Sequence, residues 1–155
     1  MPFVEDAFDQ SFYDHCLAKM AERGWSEKAR RTTQAFLPAA LAISLTAYGH
    51  LSNYSTRIYI ALYTAVLIAI DDIYAKDKEK IDLLKSFSSI LVSDQSKTLG
   101  DEHLDAIADI LRQTTQHFGK VESSFIISST LRYLTSVVVD GELSRSNVRT
   151  LVFNN

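Results

Sequence analysis

The feature that most restricts how this chain can fold is a nearly unbroken apolar run, Ile58 to Ile70, closed by two adjacent carboxylates, Asp71 and Asp72. A mixed-charge cluster, Lys76 to Lys80, follows. The run must be buried, yet it is shorter than the ~20 residues of a membrane-spanning helix, as is a second apolar stretch, Phe36 to Tyr48. Both read as buried helices with no membrane span. A helix over the first run carries its carboxylates at the C-terminal end, where the macrodipole already places partial negative charge. Neighbouring carboxylates also repel each other. Two readings account for this. The charges either mark where an apolar helix leaves the core, or form a site at which a bound cation relieves both repulsions.

The remaining elements follow from period and punctuation. Five Gly and two Pro in 155 residues leave little turn material for an all-β fold. Phe8, Phe12, Cys16 and Met20 make an i, i+4 stripe along a helix over Ala7–Arg23, with Gly24 suited to its C-cap. Ser26 is the expected N-cap of a helix over Glu27–Tyr48, which Pro38 should kink or split and Gly49 closes. Ser55 or Thr56 is the expected cap of the central helix. Ile81–Ser93 places Leu84, Phe87 or Ser88, and Leu91 on one face, and Asp94 to Gly100 is a polar loop. Glu102–Phe118 turns Leu104, Ile107, Leu111 and Phe118 inward, and Gly119 ends it. Val121–Val139 is the last helix, with Phe125, Ile126, Leu131, Leu134 and Val138 inward. The closing SRSNVRTLVFNN follows no period. The expectation is one all-α domain of about six helices over residues 1–143, and an aperiodic, unstructured tail over 144–155.

Composition excludes several functions. A formal net charge of −3 provides no general attraction to nucleic acid or anionic lipid. Cys16 is the single cysteine, so an intrachain disulfide and a cysteine-rich zinc site are both out. It lies on an apolar stripe and reads as packed rather than nucleophilic. The four histidines show no i, i+4 pairing, and Glu-x-x-His is absent, against a ferritin-like di-iron bundle. DDIYAKDKEKID lacks the glycine of an EF-hand loop, and no phosphate-binding glycine loop occurs. MPFVEDAFDQ is acidic, without the apolar core of a secretory signal. A soluble, cytoplasmic protein is the expectation.

Two phrases, LTAYGHLSNYSTRIYIALYTAVLIAIDD and FIISSTLRYLTSVVVDGEL, resemble the fungal class I terpene cyclases, particularly the trichodiene-synthase-like group. In that family a helix with a YIALYTA-like sequence leads into an aspartate-rich motif, and a later helix carries a phrase like TSTLRF before an acidic end. The resemblance covers roughly Ala29 to Leu143. It implies part of a class I terpenoid synthase helical bundle, and ionisation and cyclisation of an isoprenoid diphosphate such as farnesyl diphosphate, the sesquiterpene precursor, with Mg²⁺ as cofactor. Magnesium takes hard oxygen ligands, often one or two carboxylates plus substrate phosphates. By the resemblance, Asp71 matches the leading aspartate of the motif and is a metal ligand and catalytic residue. Asp72 matches its supporting neighbour. The family's further acid at i+4 is Ala75 here; Asp77 is the nearest substitute, able to reach the site only if the helix ends or bulges near Ala75. The helical wheel puts Ile60, Thr64 and Leu67 on the Asp71 face with Tyr63 to one side, and Phe125 and Tyr133 are candidate cavity aromatics. Thr64, Leu67, Tyr63 and Phe125 are thus the expected substrate contacts, ordinary core packing being the other reading of the aromatics.

The chain departs from the family pattern in length and in its second half. Full members are about twice as long, and their second metal motif, an Asn-Asp start with Ser and an acid at four-residue intervals, follows none of Asn53, Asn147, Asn154 and Asn155. The diphosphate-sensing arginine after the TSTLRF-like helix has no counterpart, and Arg132-Tyr133 lies in the wrong helix to be the family's late Arg-Tyr pair. The expectation is an incomplete, N-terminal half whose cyclisation is impaired, with an apolar face exposed to homodimerisation or other self-association. The alternative is a catalytically inactive helical interaction module, or a truncated fragment of such an enzyme.

Overall fold

The computed structural model describes residues 9–74, 77–93 and 100–153. They form six helices, α1 (Gln10–Glu22), α2 (Glu27–Tyr48), α3 (Tyr54–Tyr74), α4 (Lys78–Ser93), α5 (Glu102–His117) and α6 (Lys120–Phe153), with no strand among the described residues. The all-α expectation holds. The apolar run is α3, and α3 touches each of the other five helices, α2 and α5 most extensively. It buries Ala61, Ala65 and Ala69 at four-residue spacing, and their small side chains let neighbouring helices come close. Leu62, Val66 and Ile70, also buried, fill the space beside them. No helix among the described residues is long and apolar enough to cross a membrane.

Local chemistry sets most helix ends. The Asp9 carboxylate accepts the Phe12 N–H at 3.0 Å and starts α1. At the other end Gly24 adopts φ +73°, a left-handed turn that glycine takes without strain. Two backbone bonds close it, Gly24 N–H to the Ala21 carbonyl and Trp25 N–H to the Met20 carbonyl, the pattern of a Schellman cap. The α1 stripe of Phe12, Cys16 and Met20 is buried as expected, and Phe8 lies outside the described residues. Ser26 caps α2 by accepting the Ala29 N–H at 3.1 Å. Pro38 does not split α2. Pro38 and Gln34 are both exposed, so the carbonyl deprived of its partner faces water.

Four expectations need correction. The central helix begins at Tyr54, capped by Asn53, whose side chain accepts the Thr56 N–H at 3.1 Å; Ser55 and Thr56 lie inside the first turn. Helix α4 starts at Lys78 rather than Ile81, because the Asp77 carboxylate accepts the Glu79 N–H at 3.0 Å and acts as its cap. Phe125 does not point inward and is 69% exposed; α6 buries the expected Leu134 together with Ser123, Thr130 and Val137, and the expected Ile126, Leu131 and Val138 are half-buried. Finally, α6 runs on through Phe153, so residues 144–153 are helical where an unstructured tail was expected. No proline interrupts that stretch, and extending an existing helix adds a hydrogen bond for each residue fixed. The expected loop over Asp94–Gly100 falls outside the described residues up to position 99; Gly100 takes φ +74°.

Candidate functional site

The face of α3 that carries Ile60, Tyr63 and Thr64 forms one wall of an apolar cavity of about 540 Å³. Tyr48, His50 and Leu51, from the corner between α2 and α3, close its end. Phe118, Phe125, Ile126 and Ser129 make the opposite wall. The exposure of Phe125 leaves the cavity open on the α6 side. Of the expected substrate contacts, Tyr63, Thr64 and Phe125 line this space, while Leu67 is packed on the core and lies outside the lining. Tyr48, His50, Leu51, Tyr59 and Ser129 were missed. Tyr59 had a signal, since it stands one helical turn before Tyr63 on the same stripe. The corner residues had none, because a turn carries no period.

Two hydrogen bonds determine what the tyrosines offer the cavity. Tyr59 Oη lies 2.7 Å from Thr114 Oγ1, and the Thr114 hydroxyl itself donates to the Leu111 carbonyl at 2.8 Å. Tyr63 Oη lies 2.7 Å from Thr130 Oγ1, which donates to the Ile126 carbonyl at 2.7 Å. Each threonine hydrogen is already engaged, so the phenols are the donors. Their hydroxyls are turned to α5 and α6, and the rings remain as the cavity surface. Tyr59 and Tyr63 are nearly parallel at 6.3 Å between centroids, and Phe118 meets Tyr59 edge-on at 5.8 Å. Burial pushes the Tyr59 phenol up to about 12, so it stays neutral at physiological pH. His117, 4.7 Å from the Tyr59 ring, is held below the usual imidazole range by burial and then by the Lys19 charge.

Further along the same helix, Asp71 stands seven residues from Thr64, two turns and about 10 Å along the axis. It therefore shares the cavity-facing side of α3. Asp71 and Asp72 are both exposed, and α3 has no basic residue in its last turn. Tyr133, on α6, lies close enough to Asp71 to feel its charge. Burial first, then the nearby Asp71 carboxylate, push the Tyr133 phenol up to about 12. The structure thus brings Asp71 and Tyr133, two residues singled out from distant parts of the sequence, within electrostatic reach of each other. Asp77 is engaged elsewhere, as the cap of α4.

The donor set bears on magnesium. Among the described residues no three His, Cys, Asp or Glu side chains cluster as a complete metal cage. Two adjacent, solvent-facing carboxylates do match the way Mg²⁺ is commonly held, through one or two carboxylates with water and substrate phosphates completing the shell. Asp71 and Asp72 fit that partial role. Asp77 could join them only by giving up the cap of α4.

The described outer face of α6 is apolar at two places only. Val121 and Phe125 stand near its start, Val139 and Leu143 about five turns further on. Exposed Ser128, Arg132 and Ser136 lie between them on the same side.

No family model matches the chain, and no solved structure matches it. Three curated proteins do. The chain is 25% identical over 154 residues to an alpha-cuprenene synthase of Coprinopsis cinerea, covering 97% of this chain and 45% of that protein. It is 31% identical over 126 residues to terpene synthase 29 of Postia placenta, covering 79% of this chain and 34% of that protein. It is 25% identical over 115 residues to monoterpene synthase 25 of Postia placenta, covering 74% and 33% respectively. The chain spans less than half the length of the curated relatives it matches. It is similar to fungal terpene synthases over their N-terminal parts.

Proposed function

We propose that this chain is the part of a trichodiene-synthase-like terpene cyclase that carries the first metal motif and one wall of the substrate cavity. Its substrate is an isoprenoid diphosphate, farnesyl diphosphate being the expected length. The observation that carries the reading is the placement of Asp71 on the same side of α3 as a cavity walled by tyrosine and phenylalanine rings. Similarity to three terpene synthases supports it independently.

This reading divides the labour among the residues. Asp71 and Asp72 would hold magnesium about two turns of α3 beyond Thr64, with Tyr133 close to the Asp71 carboxylate. When bound, magnesium supplies Lewis-acid stabilisation of negative charge on the departing diphosphate. The prenyl chain lies along Ile60, Tyr63 and Thr64. The rings of Tyr59, Tyr63, Phe118 and Phe125 face an allylic cation with their negative quadrupoles, an interaction worth about 0.5–2 kcal/mol per ring, more in a dry site. With their hydroxyls engaged by Thr114 and Thr130, the two tyrosines present no nucleophile to that cation. The open α6 side admits water, which quenches cations early. Binding without efficient cyclisation is therefore the activity assigned to this chain alone.

Calorimetric titration with a non-hydrolysable farnesyl diphosphate analogue, with and without Mg²⁺, tests the reading. Metal-dependent binding is expected, and Asp71→Ala should weaken it at least tenfold while Asp77→Ala changes it less than threefold, in keeping with loss of one charge-assisted contact. Equal effects of the two substitutions would remove the metal site from Asp71. A flat titration by well-folded protein would overturn the function.

A further inference from the structure

Three helix ends converge on the Asp101 carboxylate. Its Oδ1 accepts the hydroxyl of Tyr74, the last residue of α3. The same oxygen caps α5 through the N–H groups of His103 at 2.9 Å and Leu104 at 3.1 Å. Its Oδ2 accepts from the Lys80 ammonium, in the first turn of α4, at 3.0 Å. Lys80 also stands 5.0 Å from the centroid of the Tyr74 ring, and His103 meets that ring edge-on at 6.4 Å. Tyr74 is fully buried, and the Asp101 side chain is only 9% exposed. Ionic hydrogen bonds this sheltered are stronger and more directional than surface pairs.

Tyr74 lies one turn beyond Asp71, so what holds Tyr74 holds the backbone carrying the acidic pair. That turn is the one most in need of support. It bears two carboxylates at the negative end of the helix dipole and no basic residue of its own. Lys80 brings a positive charge to it from α4. The Asp77 N–H, 3.4 Å from the Tyr74 carbonyl, closes the same corner. The sequence separation of these groups hides the arrangement from any local pattern.

We propose that Asp101, acting through Tyr74 and Lys80, is a positioning residue that keeps the last turn of α3 wound, so that Asp71 and Asp72 present their carboxylates together to a metal-bound diphosphate. The tie rests on geometry; its ligand rests on the terpene-synthase reading above.

Hydrogen–deuterium exchange on the full chain separates the two. In Tyr74→Phe and Lys80→Met, amides of Asp71 to Tyr74 should exchange about tenfold faster than in the wild type, the loss expected of one hydrogen bond to a charged group. Leu62 to Leu67 should change far less. Asp101→Asn, which keeps a capping side chain for α5, should behave alike. The Mg²⁺ concentration for half-maximal binding of the farnesyl diphosphate analogue should rise about three- to tenfold in the same variants. A stability-matched core variant, Ile107→Val, should leave it unchanged. Uniform acceleration along α3, or local acceleration with an unchanged Mg²⁺ requirement, overturns the positioning role. Wild-type protein that binds no analogue at any Mg²⁺ concentration refutes the terpene-synthase reading and the role built on it. Exchange confined to the last turn would then support the mechanical tie alone.

Discussion

Replacing Asp109 should cost this small bundle more than any surface charge. Its carboxylate joins the corner between α1 and α2 to α5, accepting from Arg23 Nη2 at 2.6 Å, Arg23 Nε at 3.2 Å and Trp25 Nε1 at 2.9 Å. Gln113 Nε2 donates to it at 2.9 Å but has a second acceptor, the Asp109 carbonyl at 3.1 Å. In Asp109→Ala the amide keeps that carbonyl. Trp25 is 8% exposed and loses its acceptor outright, which costs about 1–3 kcal/mol. The Arg23 pair is roughly a quarter to a third exposed, so screening limits it to about 1 kcal/mol. The sum is about 3 kcal/mol. Asp109→Asn keeps an acceptor for Trp25 and should cost about 1 kcal/mol. Urea unfolding followed by far-ultraviolet circular dichroism measures both, and Tm should fall by roughly 6–12 °C in the alanine variant. Equal costs for Ala and Asn would show that the ion pair, rather than the buried indole, carries the contact, and would refute the reasoning.

Three further outcomes are expected. Thr114→Val leaves the Tyr59 hydroxyl buried without its acceptor and should cost about 1–3 kcal/mol, whereas Tyr59→Phe should cost about 1 kcal/mol because Thr114 keeps the Leu111 carbonyl; the reverse order in urea unfolding would refute the donor assignment. Burial alone would raise the Asp101 carboxyl, but the His103 ring, Tyr74, Lys80 and the Leu104 N–H outweigh it and hold the group well below the usual carboxylate range. Its stabilisation is therefore complete above the unfolded value and disappears as pH falls, so stability should drop from about pH 5 downward. Asp101→Asn should flatten that acid limb, and an unchanged slope would argue against the knot. Phe125→Ser, at an exposed position, should alter stability by less than about 0.5 kcal/mol while weakening analogue binding in calorimetry; a large loss of stability would mean that Phe125 is packed after all.

How far the sequence revealed this architecture depended on whether a signal was local. The stripes of α1 and α5, the Ser26 cap and the burial of Ile58–Ile70 all arise from contacts within a turn or two, and all were legible. Around Asn53 three neighbouring side chains could each cap a helix, and the corner after Gly49 decided among them. The continuation of α6 was missed because its end has no apolar stripe, although helix extension needs none once a helix exists. Phe125 was placed inward because hydrophobicity indicates a preference for burial and not the presence of a neighbour. Asp71 was singled out by its discord with the helix dipole and by the family resemblance, and its role stands as a proposal. Its neighbour Tyr133, and the Asp101 knot beside it, are tertiary meetings that only folded coordinates reveal.

The two walls of the cavity stand in different relations to the fold. Tyr59 and Tyr63 are fastened through their hydroxyls to α5 and α6, so changing either alters the bundle as well as the cavity. Phe125, Ile126 and Ser129 carry no side-chain hydrogen bond that ties the helices together, and Phe125 is largely solvent-facing. Mutations on the α6 wall can accordingly reshape the cavity while leaving the stability margin almost untouched. Divergence among related chains, and any library built to redirect what the cavity holds, should therefore accumulate on α6 and spare the tyrosine wall.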